Sequence, residues 1–216
     1  MSSPLTLFFA PLACSLASRI CFYEAGYAAR YRQVDTKSKK LIDGSDYLAI
    51  NPLGQVPALA TESGEILTEN AAVLQYIAEF LAPTLQLAPT SGFERSRLQQ
   101  WLGFIGTELH KAIFVPLLDP NASESVKSYA RANIPPRCDV IESRLSRHEY
   151  LLSSYSIADA YLLTVLNWSA ATQEDFSPWP SVAAFKRRMM AREHVTRAVS
   201  EELALYKQEM ARARNR

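Results

Sequence analysis

Between Ala82 and Gly92 the chain reads Ala82-Pro83-Thr84-Leu85-Gln86-Leu87-Ala88-Pro89-Thr90-Ser91-Gly92. Pro, Ser, Thr and Gly gather there and the hydrophobic periodicity stops, which is the pattern of a linker. The stretch separates two halves of different rhythm. Before it, short apolar runs alternate with helix-period segments; after it, every periodic segment is helical. A chain of 216 residues is enough for one large domain or two small ones. The change of rhythm selects two: a mixed domain over 1–82, a linker over 83–92 and an all-helical domain over 93–216.

The first half begins with an apolar strand candidate, Leu5-Thr6-Leu7-Phe8-Phe9. A helix candidate follows over Ser15 to Ala25, with Leu16 and Ile20 on one face and Gly26 placed as its C-terminal cap. Tyr31 to Val34 is a second short strand, and the polar run Asp35 to Ser45, with Lys37, Lys39 and Lys40, reads as a solvated loop. Asn51-Pro52-Leu53-Gly54 is a turn, because Pro fixes φ and Gly tolerates positive φ. Val56-Pro57 opens a strand with a residue that cannot donate to the ladder. Ile66-Leu67-Thr68 returns as the second arm of a hairpin. A helix over Glu69 to Leu81 carries Val73, Tyr76, Ile77 and Phe80 on one face, with Thr68 as its N-cap.

The second half begins with a helix from Phe93 to Val115 that ends before Pro116. Ser123 to Asn133 is a further helix, broken or kinked at Pro135-Pro136, where two N–H groups are missing. Arg137 to Ser146 resumes it. Ser156 and Asp159 have the spacing of a capping box and open a nearly all-apolar helix, Ile157 to Trp168, which belongs in the core. Helices over Ser181–Met190 and from Glu193 onward complete the pattern, and the basic end, Arg212 to Arg216, is expected to fray.

Composition narrows the chemistry. A net charge of +1 predicts neither a nucleic-acid nor an anionic-membrane partner. No apolar run approaches the roughly 20 residues of a membrane span, and the first residues lack a signal-peptide pattern. Three cysteines do not make a disulfide framework, so a reducing, cytoplasmic setting fits and no metal site is expected. Cys14 lies between a strand end and a helix start, where unpaired N–H groups carry partial positive charge. A thiol held there ionises more easily, and the thiolate is the reactive form. Ser15 stands beside it as a hydrogen-bond donor. The alternative is a small buried hydrophobe, the commoner role of such a cysteine. His110, a single imidazole on an amphipathic helix, is likewise open between structural and catalytic roles.

Six segments in order carry a resemblance: Pro11-Leu12-Ala13-Cys14-Ser15-Leu16, Asn51-Pro52-Leu53-Gly54-Gln55-Val56-Pro57, Leu67-Thr68-Glu69-Asn70, Leu98-Gln99-Gln100-Trp101-Leu102, Glu108-Leu109-His110-Lys111 and Ser156-Ile157-Ala158-Asp159-Ala160-Tyr161. The chain resembles the soluble glutathione S-transferases, most closely the bacterial beta class, over nearly its whole length. The resemblance implies a thioredoxin-like domain (β-α-β-α-β-β-α), then an all-α domain, usually in a two-fold dimer. It implies glutathione as co-substrate and a small hydrophobic electrophile as second substrate. Glutathione's γ-glutamyl carboxylate would meet the N–H groups of Glu69 and Asn70, and its ammonium the Glu69 side chain. Its peptide would pair with Val56 like an added strand, before a cis Pro57. Lys39 would reach the glycyl carboxylate. Cys14 and Ser15 would polarise the sulfur, with His110 facing Cys14 across the cleft as a thiolate-stabilising imidazolium. From position alone, Leu12, Phe114 and neighbouring helices are expected to line an apolar second-substrate pocket. The chain departs from the beta class at Asn70, usually Ser or Gly, and at Gly103, often Asn. The implied activity is conjugation of glutathione. The rivals are thiol–disulfide exchange through Cys14 and a non-catalytic binding protein on the same scaffold.

Overall fold

The computed structural model describes residues 5–214. It has the thioredoxin-like mixed domain and the helical domain expected. Two compact units form: the chain up to Leu85 together with the segment from Arg192 onward, and Gln86–Ala191.

The first unit is built on β1 (Thr6–Phe9), α1 (Ser15–Glu24), β2 (Arg30–Asp35), β3 (Lys40–Leu41), β4 (Ala58–Ala60) and β5 (Ile66–Thr68). The sheet order is β3-β2-β1-β4-β5. β1 and β2 are parallel, so a crossover must join them, and α1 is that crossover. The Val-Pro hairpin pairs β4 with β5 and returns β4 antiparallel to β1. Alternation along β1 sends Phe8 to one face, where it packs with Val34, Leu41, Tyr47 and Ala58. A helix between β2 and β4 was expected; the described residues carry instead the short strand β3 and a run of turns. Tyr47 gives that segment its anchor, being fully buried. After β5 comes α2 (Asn70–Tyr76), which continues as wider π-helical turns over Ile77–Leu81. The helix starts one residue later than expected: Thr68 stays in β5, and Glu69 is the cap residue.

In the second unit, α3 (Gly92–Phe104) runs through π-helical turns, Ile105–Phe114, into α4 (Val115–Leu118). The helix therefore does not stop before Pro116. That proline lies in the first turn of α4, where a missing N–H is tolerated. α5 (Glu124–Ala132) is capped by the Ser123 hydroxyl, which accepts the Val126 N–H. α6 (Ile134–Leu145) holds Pro135 and Pro136 in its first turn, so the prolines start a helix after the break they impose. Every residue of α7 (Ile157–Asn167) from Ile157 to Leu166 is buried, as its apolar run predicts. Its capping box closes as expected: Asp159 accepts the Ser156 N–H and the Leu151 N–H, each at 2.9 Å. Burial pushes the Asp159 pKa up to about 6 against the pull of these bonds. α8 (Ser169–Thr172) and α9 (Pro180–Met190) complete the unit.

The last helix, α10 (Glu193–Arg214), belongs to the first unit. It packs along α1, and Arg192, just before it, grips Glu24 with two hydrogen bonds, 2.9 and 3.0 Å. The sequence places this helix in an all-helical domain over 93–216; in the structure it groups with the mixed unit. The basic end stays helical to Arg214, while Asn215 and Arg216, also expected to fray, lie outside the described residues.

Candidate active site

The residues before α1 form a tight turn. The Ala13 N–H donates to the Ala10 carbonyl at 3.1 Å. Pro11 occupies its second place and Leu12, with φ 60°, its third. That is the arrangement of a type II turn, whose third place favours Gly. A leucine there costs about 1 kcal/mol, so something must hold it. Two groups do. The Leu12 N–H donates to the Glu202 carboxylate of α10 at 2.7 Å. The buried Ser15 hydroxyl accepts the Ala10 N–H at 3.2 Å and donates to the Ala10 carbonyl at 3.3 Å. Ser15 was expected to donate toward a substrate sulfur. Its hydroxyl is instead engaged within the turn and shut off from solvent, so it braces the turn.

Cys14 directly precedes α1 with helical backbone angles. It is 8% exposed, and its thiol donates to the Val56 carbonyl at 3.0 Å. All three cysteines are buried thiols.

The Val56 edge is rigidly supported. Asn51 Nδ2 and the Tyr47 hydroxyl both donate to the Gln55 carbonyl at 2.8 Å. Asn51 Oδ1 accepts the Leu53 N–H, and the Asn51 carbonyl accepts the Gly54 N–H at 2.7 Å. Lys39, itself at φ 58°, places its ammonium on the Gly54 carbonyl at 3.1 Å. Its stem crosses Gly54 so closely that a Cβ there would sit 2.5 Å from Lys39 Cδ, and φ at Gly54 is +59°. The positive φ favours glycine, and any side chain there would also have to displace the Lys39 stem. The Val56-Pro57 bond is cis, as the resemblance implied.

The start of α2 is the third part. Glu69 is exposed, with φ 67°, and makes no side-chain capping bond. Asn70 is buried, and its Oδ1 accepts the Ser18 hydroxyl of α1 at 3.1 Å. Its Nδ2 has no hydrogen-bond acceptor among the described residues. A buried donor without a partner, beside unpaired helix N–H groups, suits a carboxylate.

In the second unit, His110 Nδ1 shares a hydrogen bond with the Tyr161 hydroxyl at 2.9 Å, and its ring lies edge-on to Trp168. Burial, aided by the Lys111 charge, pushes its pKa down to about 4. His110 is therefore neutral near pH 7, and the imidazolium expected here is corrected to an imidazole. Phe114, expected among the apolar residues of the second-substrate pocket, is fully buried and packs on Trp168 and Phe176.

Tyr47, Glu202 and Tyr161 were not singled out in the sequence. Glu202 stands beside Glu201 on a polar helix and reads as solvated; only its pairing with Arg19 at 3.0 Å reveals it. Among the described residues, no group of three or more His, Cys, Asp or Glu could hold a metal, and no helix is long and apolar enough to cross a membrane.

This geometry has close parallels. Family models described as the glutathione S-transferase N-terminal and C-terminal domains match residues 3–79 and 106–193. The chain is 40% identical over 197 residues to glutathione S-transferase GstA of Escherichia coli, covering 91% of this chain and 98% of that one. A ternary complex of BphK, a bacterial glutathione S-transferase, superposes with a TM-score of 0.88 at 45% identity, over 91% of this chain and 98% of that one. A beta-class enzyme of Sphingomonas chungbukensis gives 0.87 at 41%, with the same coverage.

Proposed function

The chain belongs to the glutathione S-transferase family, and we propose that it conjugates glutathione to small hydrophobic electrophiles through the Cys14, Val56 and α2 site. The observation that carries this reading is Asn70 Nδ2, a buried donor without an acceptor at the start of α2. The γ-glutamyl carboxylate of glutathione supplies that acceptor, together with the free N–H groups there. Glu69, exposed at the cap position, takes the ammonium. The peptide runs along Val56, whose carbonyl exchanges the Cys14 thiol for a glutathione N–H. Lys39 stands ready for the glycyl carboxylate.

In this pose the glutathione sulfur lies beside Cys14. The enzyme orients the thiol and favours loss of its proton. The thiolate then forms a carbon–sulfur bond to the electrophile while the leaving group departs with its electron pair. His110, expected to assist the thiolate, takes part in this reading as a neutral imidazole. Detoxification, a two-fold dimer and a cytoplasmic setting belong to the same reading; sedimentation of the intact chain tests the dimer. Turnover of 1-chloro-2,4-dinitrobenzene tests the chemistry. Cys14→Ala combined with His110→Ala should lower it about 10-fold or more, and undiminished turnover overturns the residue assignment.

A second reading is supported by the placement of the Cys14 thiol on the Val56 edge. Its thiolate would attack oxidised glutathione, forming a mixed disulfide and releasing one glutathione thiolate. Position 17 is Ala17, so no Cys-x-x-Cys partner exists and a second glutathione must resolve the adduct. Intact mass after exposure to oxidised glutathione decides it: no adduct at Cys14 removes this reading.

A further inference from the structure

Glu202 lies 190 residues from Leu12 in sequence, yet its wholly buried carboxylate is divided between two partners. Oε2 accepts the Leu12 N–H at 2.7 Å, and Oε1 is 3.0 Å from Arg19 Nε. Arg19, on α1, lies over the rings of Phe9 and Tyr31 at 4.3 and 4.2 Å, and its Nη1 reaches Glu201 at 3.2 Å. The groups facing Glu202 are thus the Leu12 amide from the turn, Arg19 from α1 and Glu201 from its own helix.

A buried ion pair is a poor source of stability, because both charges lose water. Burial pushes the Glu202 pKa up from 4.5 to about 7, although Arg19 and the Leu12 N–H pull it down. A carboxyl whose value rises on folding subtracts stability when it ionises, so the loss grows as pH rises through neutrality. The charge is better explained by what it holds. That is the N–H of a leucine in a left-handed conformation, two residues before Cys14.

We propose that Glu202 is a positioning residue for the transferase reaction: by holding the Leu12 amide it fixes the turn that sets the Cys14 sulfur against bound glutathione. This role presupposes the assignment of Cys14 to the glutathione sulfur. Ser15 fixes the other side of the same turn through Ala10. A helix at the far end of the chain thereby controls the position of a residue near its start.

The test uses the full chain with Glu202→Gln, Glu202→Ala and Cys14→Ala. Glu202→Gln keeps an acceptor for Leu12 but loses the charge, and it covers the case in which Glu202→Ala fails to fold. Two quantities are read well below the unfolding temperature: kcat and KM for glutathione with 1-chloro-2,4-dinitrobenzene from about pH 6 to about pH 8, and the rate of Cys14 alkylation by iodoacetamide, followed by peptide mass. Glu202→Gln should lower kcat about 3- to 10-fold at the upper end with KM within about twofold, and Glu202→Ala should lower it further. The ratio of wild-type to Glu202→Gln kcat should rise through neutrality, as the wild-type carboxyl loses its proton. Alkylation of Cys14 should change severalfold in both variants. A role in folding alone would lower the unfolding temperature but leave this ratio flat and alkylation unchanged, and that result overturns the proposal. Undiminished turnover in Cys14→Ala overturns the assignment of Cys14 instead. Glu202 is then judged by alkylation alone, and an unchanged rate there overturns its hold on the turn.

Discussion

The Cys14 thiol and the Val56 carbonyl share one hydrogen bond, 3.0 Å long. It joins the turn before α1 to the edge before β4, so the sulfur-facing and peptide-facing parts of the site constrain each other. Glutathione pairing with Val56 has to displace this donor. Cys14→Ala is therefore expected to bind reduced glutathione as tightly as the wild type or up to about 10-fold more tightly, since a net hydrogen bond is worth about 0.5–1.5 kcal/mol. Calorimetry checks this, and marked weakening would contradict it.

The charged contacts should rank by geometry. Glu69 has a free side chain at the cap position and is assigned the ammonium, so Glu69→Ala should weaken glutathione binding about 10-fold or more. Lys39 already holds the Gly54 carbonyl and is half-buried, so Lys39→Ala should weaken it less. Comparing the two dissociation constants at low and high salt tests the order.

Ser15→Ala leaves the Ala10 N–H without its partner in a buried turn, while the Ala10 carbonyl keeps only the Ala13 N–H. The expected loss is about 1–3 kcal/mol. For a chain of this size that is a fall in Tm of about 2–4 °C per kcal/mol, read by thermal unfolding. A Tm unchanged within error would show that the hydroxyl does not brace the turn.

His110 should titrate low. Folding depresses its pKa from 6.5 to about 4, so between these values the unfolded chain binds the extra proton. Stability is then full above about pH 6.5 and is lost as pH falls toward about 4. His110→Gln should flatten that part of the stability curve. An imidazole NMR titration near pH 6.5 in the folded protein would contradict the buried, neutral ring.

Much of this was legible because it rests on local chemistry. The Val-Pro hairpin, the turn at Gly54 and the Ser156–Asp159 box each follow from residues a few positions apart. What was not legible depends on distant packing. Glu202 sits beside Glu201 on a polar helix and becomes a buried ligand only because α10 folds back onto α1. The polar run from Asp35 gave no sign of β3, whose two residues are fixed by pairing with β2. Ser15 and His110 were placed on the right elements, but the turn geometry that ties the hydroxyl to Ala10 and the burial that neutralises the ring are not written in the residue pattern.

The central claim is that the start of α2 holds the γ-glutamyl carboxylate. The most direct measurement is calorimetric titration of reduced glutathione into the wild type and into Asn70→Asp, which keeps an acceptor for Ser18 but turns the unpartnered donor into a negative charge. Saturable binding by the wild type, weakened about 10-fold or more in Asn70→Asp, is the result expected. Equal affinity in the two proteins, or no saturable binding by the wild type at millimolar glutathione, would contradict it.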